Sequence, residues 1–217
     1  MKPAAQQRLS IEGPVGALEV VINDPERDDA LAGSGHRGIA LIAHPHPLHG
    51  GTLDNKVVQT LAKAFHSQGY VAVRMNFRGV GESHGTFNEG IGETDDWLRV
   101  HQAMLLRFGP LPCVLAGFSF GAFVQSRVAQ HFARSGIAAR LVLIAPAVGR
   151  FAVVPPSPGT LIVHGDQDDV VPLQEVFAWA KPTHAPVVVL PGAGHFFHGY
   201  LTELQSIVKR FAASDGD

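Results

Sequence analysis

A serine, an imidazole and a carboxylate spaced along this chain have the types and the order needed for nucleophilic acyl transfer. The serine lies in Gly117-Phe118-Ser119-Phe120-Gly121, which follows the apolar run Val114-Leu115-Ala116 and opens a helix-like segment, Ala122 to Phe132. A G-x-S-x-G turn between strand and helix is a nucleophile elbow: the glycines let strand and helix meet closely, and the serine hydroxyl stands clear of the sheet. The plainer alternative is an ordinary N-cap serine. The two readings part on whether a base, an acid and oxyanion donors occur elsewhere in the right order.

The base is sought where glycines allow a loop to curl back over a sheet edge. Pro191-Gly192-Ala193-Gly194-His195, directly after the apolar Val187–Leu190, meets that requirement. Neutral His195 can take the serine proton if a carboxylate fixes its tautomer and stabilises the imidazolium that forms. Carboxylates follow the apolar run Leu161–Val163 in His164-Gly165-Asp166-Gln167-Asp168-Asp169-Val170-Val171-Pro172, whereas Pro146-Ala147-Val148-Gly149, after Leu141–Ala145, has none. One of Asp166, Asp168 and Asp169 must serve. With Asp168 chosen, the chain order is Ser119, Asp168, His195, which is the order of the α/β-hydrolases and not that of the two main serine protease folds.

The elements that would position these groups can be read as alternating text. Leu9–Glu12 and Ala17–Ile22, around the turn-like Gly13-Pro14-Val15-Gly16, predict a short antiparallel hairpin. Residues 23–38 read as a polar loop. Strand-length apolar runs follow at Ile39–Ala43, Tyr70–Met75, Cys113–Gly117, Leu141–Ala145, Leu161–Val163 and Val187–Leu190. Helical segments alternate with them at Asn55–Ser67, Thr94–Phe108, Ala122–Phe132, Leu173–Ala180 and Tyr200–Phe211. Runs apolar on both faces and joined by helical crossovers predict an α/β doubly wound, mainly parallel sheet covered on both sides. In such a sheet, ligands bind outside the carboxyl ends of the strands, which is where all three candidates fall.

Length and composition agree with one domain spanning residues 1–217. The chain is 46% hydrophobic and 17% charged, enough apolar material for a large core. A net charge of −2 with no dense run of Lys or Arg disfavours nucleic-acid binding. Residues 1–8 lack the apolar core of a signal peptide, and no run approaches about eighteen apolar residues, so a cytoplasmic protein with no membrane association is expected. The single cysteine, Cys113, heads an apolar strand and reads as a buried, inert thiol.

Residues 36–211 resemble an α/β-hydrolase. The segments His44-Pro45-His46-Pro47-Leu48-His49-Gly50-Gly51, Asn76-Phe77-Arg78-Gly79-Val80-Gly81-Glu82-Ser83 and His164–Pro172 resemble a bacterial group of small, lidless, dienelactone-hydrolase-like serine hydrolases. That resemblance implies Asp168 as the triad acid, over Asp166 and Asp169. The chain departs from true dienelactone hydrolases in carrying Ser119 where they use cysteine, so their lactone substrate does not carry over.

In this fold the second oxyanion donor is the residue after the nucleophile, here Phe120, and the first comes from the loop after the strand Ile39–Ala43. Pro45 and Pro47 have no N–H, which leaves His46 or Leu48 as that donor. His46 is favoured because His44-Pro45 stands where the family has His-Gly.

Other readings compete for these residues. His44, His46 and His49 could suggest a metal site, but beside an elbow they read more simply as an oxyanion loop, and neither a metal nor a cofactor is expected. His198 is a rival base that reads as facing solvent or packing. By resemblance Arg78 is structural, its guanidinium on backbone carbonyls. Asp95 and Asp96 read as helix-opening carboxylates. Phe196-Phe197 reads as core before acyl pocket.

The expected protein is therefore a serine hydrolase of small carboxylic esters, monomeric or homodimeric. Thioester or amide cleavage with the same triad is an alternative, as is a non-catalytic binding protein on the same scaffold. Between Ala145 and Thr160 there is room only for a Pro-rich connection, too short for a cap domain, so an open site with little apolar wall is expected.

Overall fold

The structure, a computed structural model, describes residues 6–25 and 35–214. Most of the loop predicted between residues 23 and 38, together with residues 1–5 and 215–217, lies outside the described residues. Eight strands form one sheet: β1 (Gln6–Gly13), β2 (Gly16–Asn23), β3 (Gly38–Ala43), β4 (Tyr70–Met75), β5 (Cys113–Phe118), β6 (Ala139–Ile144), β7 (Leu161–Gly165) and β8 (Val187–Leu190). Five α-helices intervene: α1 (Lys56–His66), α2 (Ile91–Phe108), α3 (Phe120–Arg134), α4 (Leu173–Ala180) and α5 (Leu201–Ala213).

The sheet runs β1-β2-β4-β3-β5-β6-β7-β8. β1 and β2 pair antiparallel in the register Leu9↔Val20, β2 is antiparallel to β4, and every remaining pairing is parallel. This is the α/β-hydrolase fold with an N-terminal antiparallel hairpin. β1 extends to Gln6, beyond the apolar run that signalled it, because an edge strand buries one face only. Its outward residues are polar and give no hydrophobic signal.

Successive residues of the parallel strands face two different cores. Ile39, Leu41 and Ala43 of β3 face the layer holding α2, α3 and α4, whereas Ala40 and Ile42 face α1 and α5. Both cores are continuous, with Phe65, Leu61 and Val58 of α1 on one side and Trp97, Val124 and Val128 on the other. Cys113 is buried, and burial pushes its thiol up to about 12, so it stays protonated. No helix among the described residues is long and apolar enough to cross a membrane.

The crossover from β3 through α1 to β4 goes one way along the sheet, and the next, through α2 to β5, returns past β3 to its other side. The carboxyl ends of β3 and β5 therefore flank the point where the winding reverses, the place where open α/β sheets form a ligand crevice. His44 follows β3, and Ser119 follows β5.

Candidate active site

Ser119 sits between β5 and α3 at φ 56°, ψ −115°, a backbone region that non-glycine residues seldom occupy. The two glycines of the motif account for how tightly the turn closes. A Cβ on Gly117 would lie 2.3 Å from the Gly121 carbonyl oxygen, and one on Gly121 would lie 2.4 Å from the Ala43 oxygen. Strand, turn and neighbouring strand touch through bare backbone at both positions. Although Ser119 precedes the helix, its hydroxyl makes no capping bond. The N-cap alternative therefore does not describe it.

The hydroxyl meets His195 instead. Ser119 Oγ lies 3.1 Å from His195 Nε2, and His195 Nδ1 lies 2.7 Å from Asp168 Oδ2. All three residues are buried. The other carboxylate oxygen of Asp168 accepts hydrogen bonds from the N–H groups of Val170 (2.9 Å) and Val171 (2.7 Å). Burial pushes this carboxyl upward, but the bonds from His195 and Val171 outweigh it and hold Asp168 below the ordinary carboxylate value. An anion oriented in this way fixes the Nδ1–H tautomer of His195, leaving Nε2 to receive the serine proton.

The neighbouring carboxylates have separate places. Asp166 is exposed and accepts from the Gly192 N–H at 2.6 Å, while the Gln167 N–H donates to the Ala193 carbonyl at 3.0 Å. These bonds tie the loop after β7 to the loop that carries His195. Asp169 is exposed and lines the cleft. His198 is exposed on the far side of Phe196, as its position in the sequence suggests.

The loop after β3 is held by its own histidines. His44 is fully buried; its Nδ1 donates to the Pro45 carbonyl (2.7 Å) and its Nε2 accepts from the Phe77 N–H (2.9 Å). His46 Nδ1 accepts from the Leu48 N–H at 3.3 Å, so that amide is already engaged. The N–H groups of His46 and Phe120 donate to no protein group among the described residues. No cluster of three or more His, Cys, Asp or Glu that could hold a metal ion occurs among the described residues.

A cleft of about 440 Å³ surrounds Ser119 and His195. Its aromatic wall is larger than the absent lid suggested. Phe151, from the short β6–β7 connection, packs edge-on against Phe120 with ring centroids 5.1 Å apart, and His46 packs tilted against both Phe87 and Phe120. On the opposite side stands Phe196, 47% exposed and edge-on to His195. Phe197 is core, as predicted, but Phe196 lines the cleft, because successive residues of this turn point in opposite directions.

Arg78 is structural and bonds a backbone carbonyl, as the resemblance implies, but its main partner is Asp96, whose place differs from expectation. Arg78 Nε and Nη2 donate to Asp96 Oδ2 and Oδ1 at 2.8 and 2.7 Å, and Nη2 also donates to the Gly92 carbonyl. Asp96 is therefore the buried partner of Arg78 and not a helix-opening residue. The helix begins earlier than its apolar pattern suggested, at Ile91, where Glu93 accepts from the Gly90 N–H at 2.8 Å. Glycine at the N-cap and a polar first turn hid that start.

This fold, with a serine at the elbow and no cap between β6 and β7, defines an α/β serine hydrolase. Residues 46–158 match the family model described as serine aminopeptidase, S33, and the chain belongs to that family. The matched stretch includes Ser119 and ends before Asp168 and His195. An uncharacterised Rickettsia prowazekii protein is 32% identical over 90% of this chain and 84% of its own length. Two solved structures are also similar. An α/β serine hydrolase homologue from Coxiella burnetii shares 42% identity at a TM-score of 0.82, covering 94% of this chain and 96% of that one. A serine hydrolase without lid from Xanthomonas campestris shares 35% identity at a TM-score of 0.84, covering 97% and 95%.

Proposed function

We propose that the protein hydrolyses small carboxylic esters through an acyl intermediate on Ser119. The observation that carries this reading is the unbroken series from Ser119 Oγ through His195 to Asp168, at 3.1 and 2.7 Å, at the mouth of the cleft. In the first half-reaction His195 Nε2 accepts the serine proton as Oγ attacks the carbonyl, then returns it to the departing alkoxide. In the second half-reaction His195 activates water in the same way and the acid leaves. Asp168 holds the imidazolium at both stages. The unclaimed N–H groups of Phe120 and His46 would hold the tetrahedral oxyanion, a contribution of about 3 kcal/mol for a single donor elsewhere.

The family's description favours a second reading, cleavage of an amide next to a free amino group, for which the same three residues would serve. Ester, thioester and aminoacyl amide substrates of one acyl group, assayed side by side, separate these readings. A fluorophosphonate probe tests both at once. Labelling at Ser119 supports a hydrolase, and a folded protein that resists labelling points to a binding role on the same scaffold.

A further inference from the structure

A second cavity lies away from the cleft, on the α1 face of the sheet near its antiparallel end. It is lined by Gln6, Asn23, Gln59, Ala62, Lys63, His66 and Arg74, and holds about 40 Å³. That is room for about three waters or one small tetrahedral oxyanion. β2 supplies Asn23, β4 supplies Arg74, and one turn of α1 supplies Lys63 and His66.

Three residues that line this cavity each carry a buried side-chain atom without a hydrogen-bond partner. Arg74 Nε, His66 Nε2 and Asn23 Oδ1 are all unpaired, and the three residues are 1%, 7% and 6% exposed. Of six such atoms among the described residues, three belong to this lining. Orphaned buried groups each cost free energy, so three around one void imply that something occupies it.

Charge distinguishes an anion from water. The Arg74 guanidinium is buried; Nη1 donates to the Leu53 carbonyl at 2.8 Å and meets Asp54, itself exposed, at 3.4 Å. Among the described residues no carboxylate lines the cavity, whereas Lys63 stands exposed at its rim. A buried cation this weakly compensated favours an anionic occupant. Asn23 Oδ1 adds a second requirement, since it needs a donor. An anion that keeps a proton meets both, accepting from Arg74 Nε and Lys63 while donating its own O–H to Asn23.

We propose that this cavity is a binding site for a protonated oxyanion, namely hydrogen phosphate. The site is separate from the hydrolytic cleft and does not depend on the activity assigned there.

The test is thermal unfolding of the full chain titrated with sodium phosphate, against sulfate and chloride at equal ionic strength. Saturable stabilisation by phosphate is expected, with apparent affinity at least about tenfold above sulfate, which has no proton to give near neutral pH. Lys63→Ala, at the exposed rim, should fold normally and weaken phosphate about tenfold. Asn23→Asp should place a carboxylate against Arg74, raise the phosphate-free midpoint and abolish the response. Glycerol phosphate, a monoester whose second pKa of about 6 leaves it largely without a proton at about pH 7.5, should bind more weakly than phosphate there, and binding equal to that of phosphate would overturn the requirement for a donated proton. Phosphate stabilisation no greater than that of chloride means a water-filled cavity and overturns the proposal. So does a phosphate response that survives Asn23→Asp, or one that sulfate equals.

Discussion

The backbone N–H of Phe77 donates to His44 Nε2 across 2.9 Å, joining the chain just after β4 to the chain just after β3. Because Nε2 accepts, the ring proton sits on Nδ1, where it donates to the Pro45 carbonyl. Both nitrogens are thereby committed to shaping the loop that leads to His46. His44 cannot also ligate a metal without giving up one of these bonds.

A pH dependence of stability follows. Burial pushes His44 down to about 4, from an ordinary value of 6.5. The folded chain thus refuses a proton that the unfolded chain accepts. Stability due to this group is complete above about pH 6.5 and is lost as pH falls towards 4, by roughly 3 kcal/mol in all at 1.36 kcal/mol per unit. Denaturant unfolding between pH 7 and 4 should show this slope. His44→Gln should be less stable at pH 7 and have a flatter profile; an unchanged slope in that variant would place the titration elsewhere.

Ser119→Ala should fold normally and lose roughly 10⁴- to 10⁶-fold in kcat, since linked catalytic groups fail together and binding contributions alone persist. Among the described residues its side chain bonds only His195, so stability should barely change. Near-normal turnover in a well-folded variant would remove the acyl-serine mechanism.

Asp168→Asn should reduce kcat by about 10⁴, because an amide cannot fix the Nδ1–H tautomer of His195. Asp166→Asn keeps an acceptor for the Gly192 N–H, and Asp169→Asn changes only a rim charge, so both should retain most of their kcat. If either of these were the crippling change, the acid would have been misassigned. Steady-state kinetics on a single soluble ester decides among the three.

Most of the parallel strands were legible because burial on both faces writes them as mainly apolar runs, interrupted only by residues such as Arg74 in β4 and Arg140 in β6. Ser119 was legible because the glycines on either side of it are required by backbone contact, and the His195 loop because Gly192 supplies its turn at a positive φ of 83°. The partnership of Arg78 with Asp96 was not, since nothing in the chain links a guanidinium to one carboxylate among several eighteen positions on. Phe196 was hidden by its neighbour: a Phe-Phe pair reads as core, and only the turn before α5 decides that one ring faces out. The oxyanion loop was half legible. The prolines removed two candidate donors, but only the fold shows Leu48 N–H engaged by His46.

Gly121→Ala tests the close approach behind the elbow. The added Cβ would lie 2.4 Å from the Ala43 oxygen and 2.6 Å from the His44 oxygen, both backbone atoms of a buried strand end. A cost of about 1–3 kcal/mol is expected from overpacking, with a fall in kcat as Phe120 and His46 move apart. Gly194→Ala is the control for stability, since its Cβ would come no closer than 3.5 Å to anything. Equal unfolding midpoints for the two variants would show that Gly121 is not needed for packing.

Substrate size depends on what stands between β6 and β7. That connection contains one 3₁₀ turn, Val148–Arg150, and then Phe151, which folds down onto Phe120 and Phe123 and does not arch over Ser119. The resulting cleft of about 440 Å³ has apolar walls from Phe151, Phe196 and Val170 close to the serine, with no tunnel-forming element beyond them. Apolar contact can therefore assist the first few acyl carbons and little else, and binding energy from a longer chain has nowhere to be realised. The kcat/KM of p-nitrophenyl esters should peak at roughly two to six acyl carbons, without activation by a lipid interface. Phe151→Ala should lower kcat/KM for the preferred ester by several-fold and leave the acetate ester nearly unchanged. A kcat/KM that climbs steadily through about twelve carbons would require a buried acyl channel, and the lidless account of the site would fail.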